Sequence, residues 1–499
     1  MTKPLNVLMI ITDQQRADTI AAAKNQNIYT PNLDRLCESG VLYEKAYSEM
    51  PECCPARSLI FSGRWGHNTG NMGNGYETKL ASTFVEKLNE AGYNTGYIGK
   101  MHSIPPDNTW GFQTIFSSEE GAAPENDDYC RHVKEQGYDE VYEPCGIRHE
   151  YYYIPQVSQL PDRLHNTTWI GDRTVEWIEQ ANETDTWFLT ASFIKPHPPF
   201  DPTTPYLTRY DPAALPLPVR SADDKDKMWP LQQAQNYSKW MEQTDDNLTR
   251  LIKSAYYASI TQLDTQIGRI LDMLESKGLR ERTLIVFTSD HGEMLGDHYQ
   301  WGKRSFYNGA AKIPLILSCP GSLPEGKTTS DLVGHRDIAP TLLHAAGVSF
   351  EPDEYDGESL LERQWENTKK WRNTTYGELI TNTYGMMSKD QATQVSSIYM
   401  SMDHRWKYIY APNGGMEALF DLENDPDELC NLVEFPEGQE ARGRLRNSLL
   451  QMLKKDGFAA GLSADGEDLL KVPYSEVPAP RNRQYSGYDP YSPKGHHAG

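Results

Sequence analysis

Two apolar runs, each closed by an acid, constrain this chain more than any other feature of it. Asn6-Val-Leu-Met-Ile-Ile-Thr-Asp13 and Leu284-Ile-Val-Phe-Thr-Ser-Asp290 lack the polar alternation of a half-exposed strand. Strands apolar on both faces belong in a sheet covered on both sides, and such sheets are mostly parallel. Thr95–Gly99, Trp187–Phe193 and Ile313–Ser318 read as further strands. Helices are expected from Pro31 through Cys37, over Ser82–Tyr93, Thr167–Gln180 and His335–Ala346, and over a long Leu248–Lys277. The last has an apolar stripe of Leu251, Ala255, Ile260, Leu263, Ile267, Ile270, Leu271 and Leu274. The alternation predicts an α/β chain, a large parallel sheet sandwiched by helices, with ligands at the carboxyl ends of the strands.

At 499 residues the chain exceeds what one small core accounts for. A composition shift near Trp371 predicts a large unit over 1–370 and a small α+β unit over 371–476, followed by an extended tail, 477–499. The stretches Ser103–His165 and Phe200–Asn236 are long for connections and read as insertions. Mean hydropathy is -0.67 and no run approaches membrane-spanning length. A net charge of -22 argues against nucleic acid or an anionic membrane as partner. The opening strand has no cleavage-site pattern, so the expected location is cytoplasmic; a leader removed beforehand would make it periplasmic or secreted. The seven cysteines are scattered without zinc spacing, and although Cys130 and Cys145 could pair, free thiols are expected.

If the sheet is parallel, Asp13, Gln14, Asp290 and His291 meet at one edge. Two carboxylates, an amide oxygen and an imidazole suit a divalent cation. Taken singly, either pair could equally be a turn or a helix cap. Cys53-Cys-Pro-Ala-Arg-Ser-Leu-Ile-Phe-Ser-Gly-Arg64 reads as a helix with Pro55 at its first position and Gly63 as its stop. Cys53 then stands where the helix dipole favours anions, and Arg57 adds a fork of donors suited to sulfate or phosphate.

The Cys53 segment resembles the type I sulfatase signature, Cys-x-Pro-x-Arg followed by an apolar turn and Ser/Thr-Gly-Arg/Lys. The register selects Cys53 over Cys54, because only Cys53 has Pro55 and Arg57 two and four residues on. Lys100-Met-His102, His197 in Lys195-Pro-His-Pro-Pro and Lys303 in Trp301-Gly-Lys resemble further motifs of that family, in the same order. The resemblance implies an alkaline phosphatase-like fold with a mixed, mostly parallel sheet and a smaller C-terminal antiparallel sheet plus helix. It implies conversion of Cys53 to formylglycine by a formylglycine-generating enzyme. Ca²⁺ is the expected metal, with Mn²⁺ or Mg²⁺ open, held by Asp13, Gln14, Asp290, His291 and residue 53. The family often has Asp and Asn where this chain has Gln14 and His291. By the same resemblance Arg57, Lys100 and Lys303 hold the sulfate in a locally cationic pocket, His197 protonates the leaving oxygen and His102 serves the second half of the cycle.

The implied substrate is a small sulfated saccharide, approached from an accessible end. His67, Asn68, Trp110, Arg131 and His149 are candidate contacts to it. A phosphonate monoester hydrolase or phosphodiesterase shares most of these motifs but lacks the Lys-x-His pair. A generalist arylsulfatase is a further alternative, and a catalytically dead glycan-binding protein would have lost Cys53, Arg57 or a metal ligand.

Overall fold

The structure, a computed structural model, describes residues 4–79, 82–121, 126–141, 143–148, 152–182, 184, 186–365, 370–381 and 387–479. Among the described residues, twelve strands form two sheets. The larger contains β1 (Asn6–Asp13), β2 (Gly40–Tyr47), β3 (Asn94–Gly99), β4 (Thr114–Ser117), β5 (Trp187–Pro196), β6 (Thr283–Ser289), β7 (Leu315–Ser318) and β8 (Lys327–Gly334). Its order is β4-β3-β5-β1-β6-β7-β2-β8, with every pairing parallel except the two made by β7.

Strand β1 shows why both faces are covered. Val7, Met9 and Ile11 pack on one side with Ile60 and Phe61 of the helix Cys53–Ser62, Leu88 of Phe84–Glu90 and Leu342 of Ile338–Ala346. Leu8 and Ile10 pack on the other with Ile170 of Asn166–Gln180 and Leu263, Ile267 and Ile270 of Asp246–Ser276. All eight residues of β1 are buried. Leu251 departs from the expected stripe of the long helix: it is exposed, and Ile252 is buried in its place. Among the described residues, no helix is long and apolar enough to cross a membrane.

The smaller sheet is antiparallel, with β9 (Thr374–Ile380), β10 (Ser397–Asp403), β11 (Trp406–Ala411) and β12 (Met416–Asp421) in the order β12-β11-β10-β9. Its strands alternate between two apolar clusters. Ile398, Met400, Ile409 and Phe420 meet Tyr47, Phe306 and Leu332 of the larger unit. Tyr399, Tyr408 and Tyr410 face Leu445, Leu449 and Leu453 of the helix Gln439–Lys455.

Candidate active site

The five parallel neighbours β4, β3, β5, β1 and β6 deliver their carboxyl ends to one edge, each with an ionisable side chain at or just past its end. Asp13 closes β1, Asp290 follows β6, Lys100 follows β3, His197 follows β5 and Glu120 lies a few residues beyond β4. At Asp13 the register of β1 against β5 shifts, and the next residue, Gln14, takes a left-handed φ of 68°. Such irregularity re-aims side chains at the rim of a sheet. The Cys53 helix starts with Cys53 itself, so Pro55 is its third residue and not its first. Gly63 ends it in the left-handed conformation at φ 62°.

Cys53 is fully buried among these groups. Its Sγ lies 2.8 Å from Lys303 Nζ, 3.2 Å from His291 Nε2 and 3.7 Å from Asp13 Oδ1. Burial pushes the thiol up, but Lys303 and Lys100, with His291 and a contact from His102, outweigh it and hold the thiol well below its ordinary range. An anionic atom is therefore stabilised at this position, and the sulfur marks where an oxygen of an oxidised residue 53 would sit.

Asp13, Cys53, Asp290 and His291 bring one donor atom each to within 4.8 Å of one another. His291 Nδ1 lies 2.9 Å from the Gly292 carbonyl, which leaves Nε2 turned to the cluster. Burial and the neighbouring Asp13 push the Asp290 carboxyl up, against His291 and Arg57. Asp13 is itself driven up by burial and Cys53, but Lys100, His197 and Lys303 bring it down to about 2. Adjacent buried carboxylates that repel each other fit a cation between them. Gln14 fits as well: its Nε2 donates to Glu293 and to Tyr153 Oη at 3.1 Å, so its Oε1 faces inward and accepts from Lys303 Nζ at 3.0 Å. Glu293 was not foreseen from the sequence; it also accepts from the Gly302 and Leu295 amides at 2.6 and 2.9 Å.

Arg57, expected to hold sulfate, has the following partners within the protein. It is fully buried, with Nε donating to Asp290 at 3.0 Å, Nη2 to Asp13 at 3.4 Å, and Nη1 to the Lys100 carbonyl at 2.6 Å and Ser192 Oγ at 2.9 Å. Its fork braces both carboxylates of the cluster. Lys100 Nζ reaches Asp13 Oδ2 at 2.6 Å and Glu120 Oε2 at 2.5 Å. His197 presents Nδ1 to the Pro198 carbonyl at 2.6 Å and Nε2 to Tyr152 Oη at 3.2 Å. His102, in a left-handed turn at φ 51°, lies beside Cys53 and Cys54. The pocket is not simply cationic, because Glu120 and Glu293 join Asp13 and Asp290 against Arg57, Lys100, Lys303 and Arg148.

The saccharide-contact candidates do not gather at this cluster. Trp110 is buried in the core, stacked on Phe61 with centroids 5.7 Å apart. The His67 side chain is buried, with Nδ1 2.7 Å from Glu378 Oε2 and its ring against Trp65 and Phe458. Both are packing residues; a large ring in such surroundings gains more from burial than from solvent contact. Asn68 is exposed and turned to Asp356 at 3.5 Å, and Arg131 pairs with Asp128 on its own helix, Asp128–Glu135. His149 lies outside the described residues. Arg148, Tyr152 and Tyr153, from the same stretch, reach the site.

The sulfatase family model matches residues 5–348, and a model described as N-sulphoglucosamine sulphohydrolase, C-terminal, matches 296–455. An arylsulfatase of Clostridium perfringens is 31% identical over 93% of this chain and 97% of its own length. A phosphonate monoester hydrolase of Agrobacterium radiobacter superposes with a TM-score of 0.79 at 24% identity, covering 90% of this chain and 96% of its own. A protein solved with its substrate D-glucosamine-2-N,6-O-disulfate gives a TM-score of 0.72 at 20% identity, over 92% of this chain and 99% of its own. At those identities the solved structures speak for the fold. The family match spans most of the chain and contains the whole cluster around Cys53, so this chain belongs to the sulfatase family, enzymes that hydrolyse sulfate esters.

Proposed function

We propose that this sulfatase removes one sulfate group from a sulfated oligosaccharide at an accessible end, with residue 53, oxidised to formylglycine, as nucleophile. The observation that carries the reading is the position of Cys53 Sγ, beside Lys303, His291 and Asp13 as one of the four donors of a buried cluster. Asp13, Gln14, Asp290, His291 and residue 53 would hold the metal, Ca²⁺ by its preference for oxygen ligands and the family resemblance. The metal would supply Lewis-acid charge that lowers the pKa of a bound hydroxyl and polarises the sulfate. Oxidation of Cys53 would require a formylglycine-generating enzyme during maturation.

The remaining work falls to this chain's side chains. Lys303 stabilises negative charge at residue 53, and Arg57 keeps both carboxylates in place. Lys100 and Lys303 address the sulfate oxygens where charge gathers. His197 gives a proton to the leaving sugar oxygen, and His102 takes one from residue 53 as sulfate departs. The net change breaks the S–O bond to the sugar; water supplies a hydroxyl to sulfur and a proton to the alcohol. The pocket has cations enough for one sulfate, and the net charge of -22 opposes long-range attraction of a densely sulfated polymer.

Comparing kcat/KM on intact polymer, oligosaccharide and nitrophenyl sulfate tests this. Remote sugar contacts raise kcat/KM for the oligosaccharide. Equal efficiency on polymer and oligosaccharide would contradict the proposal. A preference for the aryl ester would favour the second reading, a generalist arylsulfatase, to which the name of the Clostridium perfringens relative points.

A further inference from the structure

Glu120 is the charged residue nearest the expected proton donor that has no part in the scheme above. One of its oxygens, Oε1, lies 2.7 Å from His197 Nδ1 and 2.7 Å from an Arg148 guanidinium nitrogen; the other, Oε2, lies 2.5 Å from Lys100 Nζ. Lys100 in turn touches Asp13 Oδ2 at 2.6 Å. A continuous chain of ion pairs thus runs Asp13–Lys100–Glu120–His197, from the metal cluster to the ring that faces the leaving group. The Glu120 side chain is 8% exposed. Burial pushes its carboxyl up, but His197, Lys100 and Arg148 hold it well below the usual range, so it is ionised.

The fold places it deliberately with respect to both partners. β4 pairs with β3, which ends one residue before Lys100, and the Ser118 amide donates to the Gly99 carbonyl at 3.2 Å. Next to it, the Glu119 carboxylate accepts from the Met101 and His102 amides at 2.5 and 2.9 Å. The segment that carries Glu120 is therefore tied to the segment that carries Lys100 and His102.

We propose that Glu120 is a positioning residue of the reaction, holding the His197 ring toward the leaving oxygen, while Lys100 keeps its place through its second contact, to Asp13 Oδ2. The proposal rests on the reading of His197 as the proton donor. Without Glu120 the ring in its proton-carrying form would face Lys100 and Arg148 with no counter-charge, and like charges at this range in a buried site repel strongly. The carboxylate is also an anion lodged beside groups expected to meet sulfate. If its role were to plug the site, removing its charge would speed the reaction, the opposite sign.

The test uses the leaving group. Nitrophenolate departs without a proton, whereas a sugar alkoxide needs one. Glu120→Gln keeps the shape and removes the charge; Glu120→Asp, His197→Ala and the Glu120→Gln/His197→Ala double variant accompany it, each checked for unchanged melting temperature and metal content. Glu120→Gln is expected to lower kcat/KM on the sugar sulfate by about 100-fold and on nitrophenyl sulfate by less than about threefold, with His197→Ala selective in the same sense. Glu120→Asp should recover part of the loss, and the double variant should be no worse than His197→Ala alone. Equal losses on both esters in Glu120→Gln beside a selective His197→Ala would overturn the role of Glu120 and leave that of His197 standing. A gain on either ester would overturn it in favour of a plug. A non-selective His197→Ala would remove His197 as donor, and the proposal with it.

Discussion

Single residues divide cleanly into those whose place follows from a motif and those that only the folded chain reveals. Asp13, Asp290 and Cys53 were legible because each stands at a marked point, the end of an apolar strand or the start of a helix. Asp290→Asn is expected to lower both metal affinity and activity by at least about 100-fold, measured as bound metal per chain and as turnover. A metal-replete, active Asp290→Asn would show that the ligand set is wrong. Cys54→Ser is expected to keep most of the activity and Cys53→Ala to abolish it, since only the Cys53 sulfur faces Lys303, His291 and Asp13. Glu120 obeys the same rule of an acid past a strand end, but Thr114–Ser117 is short and half-buried, and no apolar run announced it. Arg57 was legible as a cation beside Cys53; which anion it would meet was not. Trp110 and His67 misled because an aromatic or a histidine in a polar stretch looks the same whether it packs or binds.

Elements follow the same division. Strands buried on both faces wrote themselves as apolar runs, whereas β2 and β8, with Glu44, Lys45, Lys327 and Asp331 among their residues, lie at one end of the sheet and carry no such run. Helix starts carry a pH signature. His165 caps Asn166–Gln180, its Nδ1 accepting from the Thr167 amide at 3.2 Å, so the ring must be unprotonated there. Burial, aided by Lys195, lowers its pKa from 6.5 to about 3. As pH falls below 6.5 the unfolded chain takes up the proton first, so the stability this group contributes is full above that pH and is lost toward pH 3. Denaturant titrations between pH 7 and pH 4 should show that decline, and His165→Asn, which caps without titrating, should flatten it. An identical pH dependence in the variant would rule out His165 as the source.

At the scale of the whole molecule, the two sheets meet through apolar packing and through buried polar pairs, of which one lies close to the Cys53 helix. Glu378 of β9 accepts from the His67 amide at 3.0 Å and sits 2.7 Å from its ring, just past the helix that carries Cys53. Although burial opposes it, Glu378 draws the His67 pKa above its ordinary value. Glu378→Ala is expected to cost about 3–5 kcal/mol, because it leaves the partner buried and uncompensated; unfolding by denaturant measures it. A cost below about 1 kcal/mol, that of a surface pair, would mean the contact does not couple the sheets. All of this scaffolding serves one atom. The account's central claim is that residue 53 acts as an oxidised side chain, and peptide mass spectrometry of Ala46–Arg57 from enzyme active on a sulfate ester tests it most directly. The predicted result is a peptide in which Cys53 has lost its sulfur and two hydrogens and gained one oxygen, with Cys54 unchanged. Fully active enzyme with an intact Cys53 would contradict it.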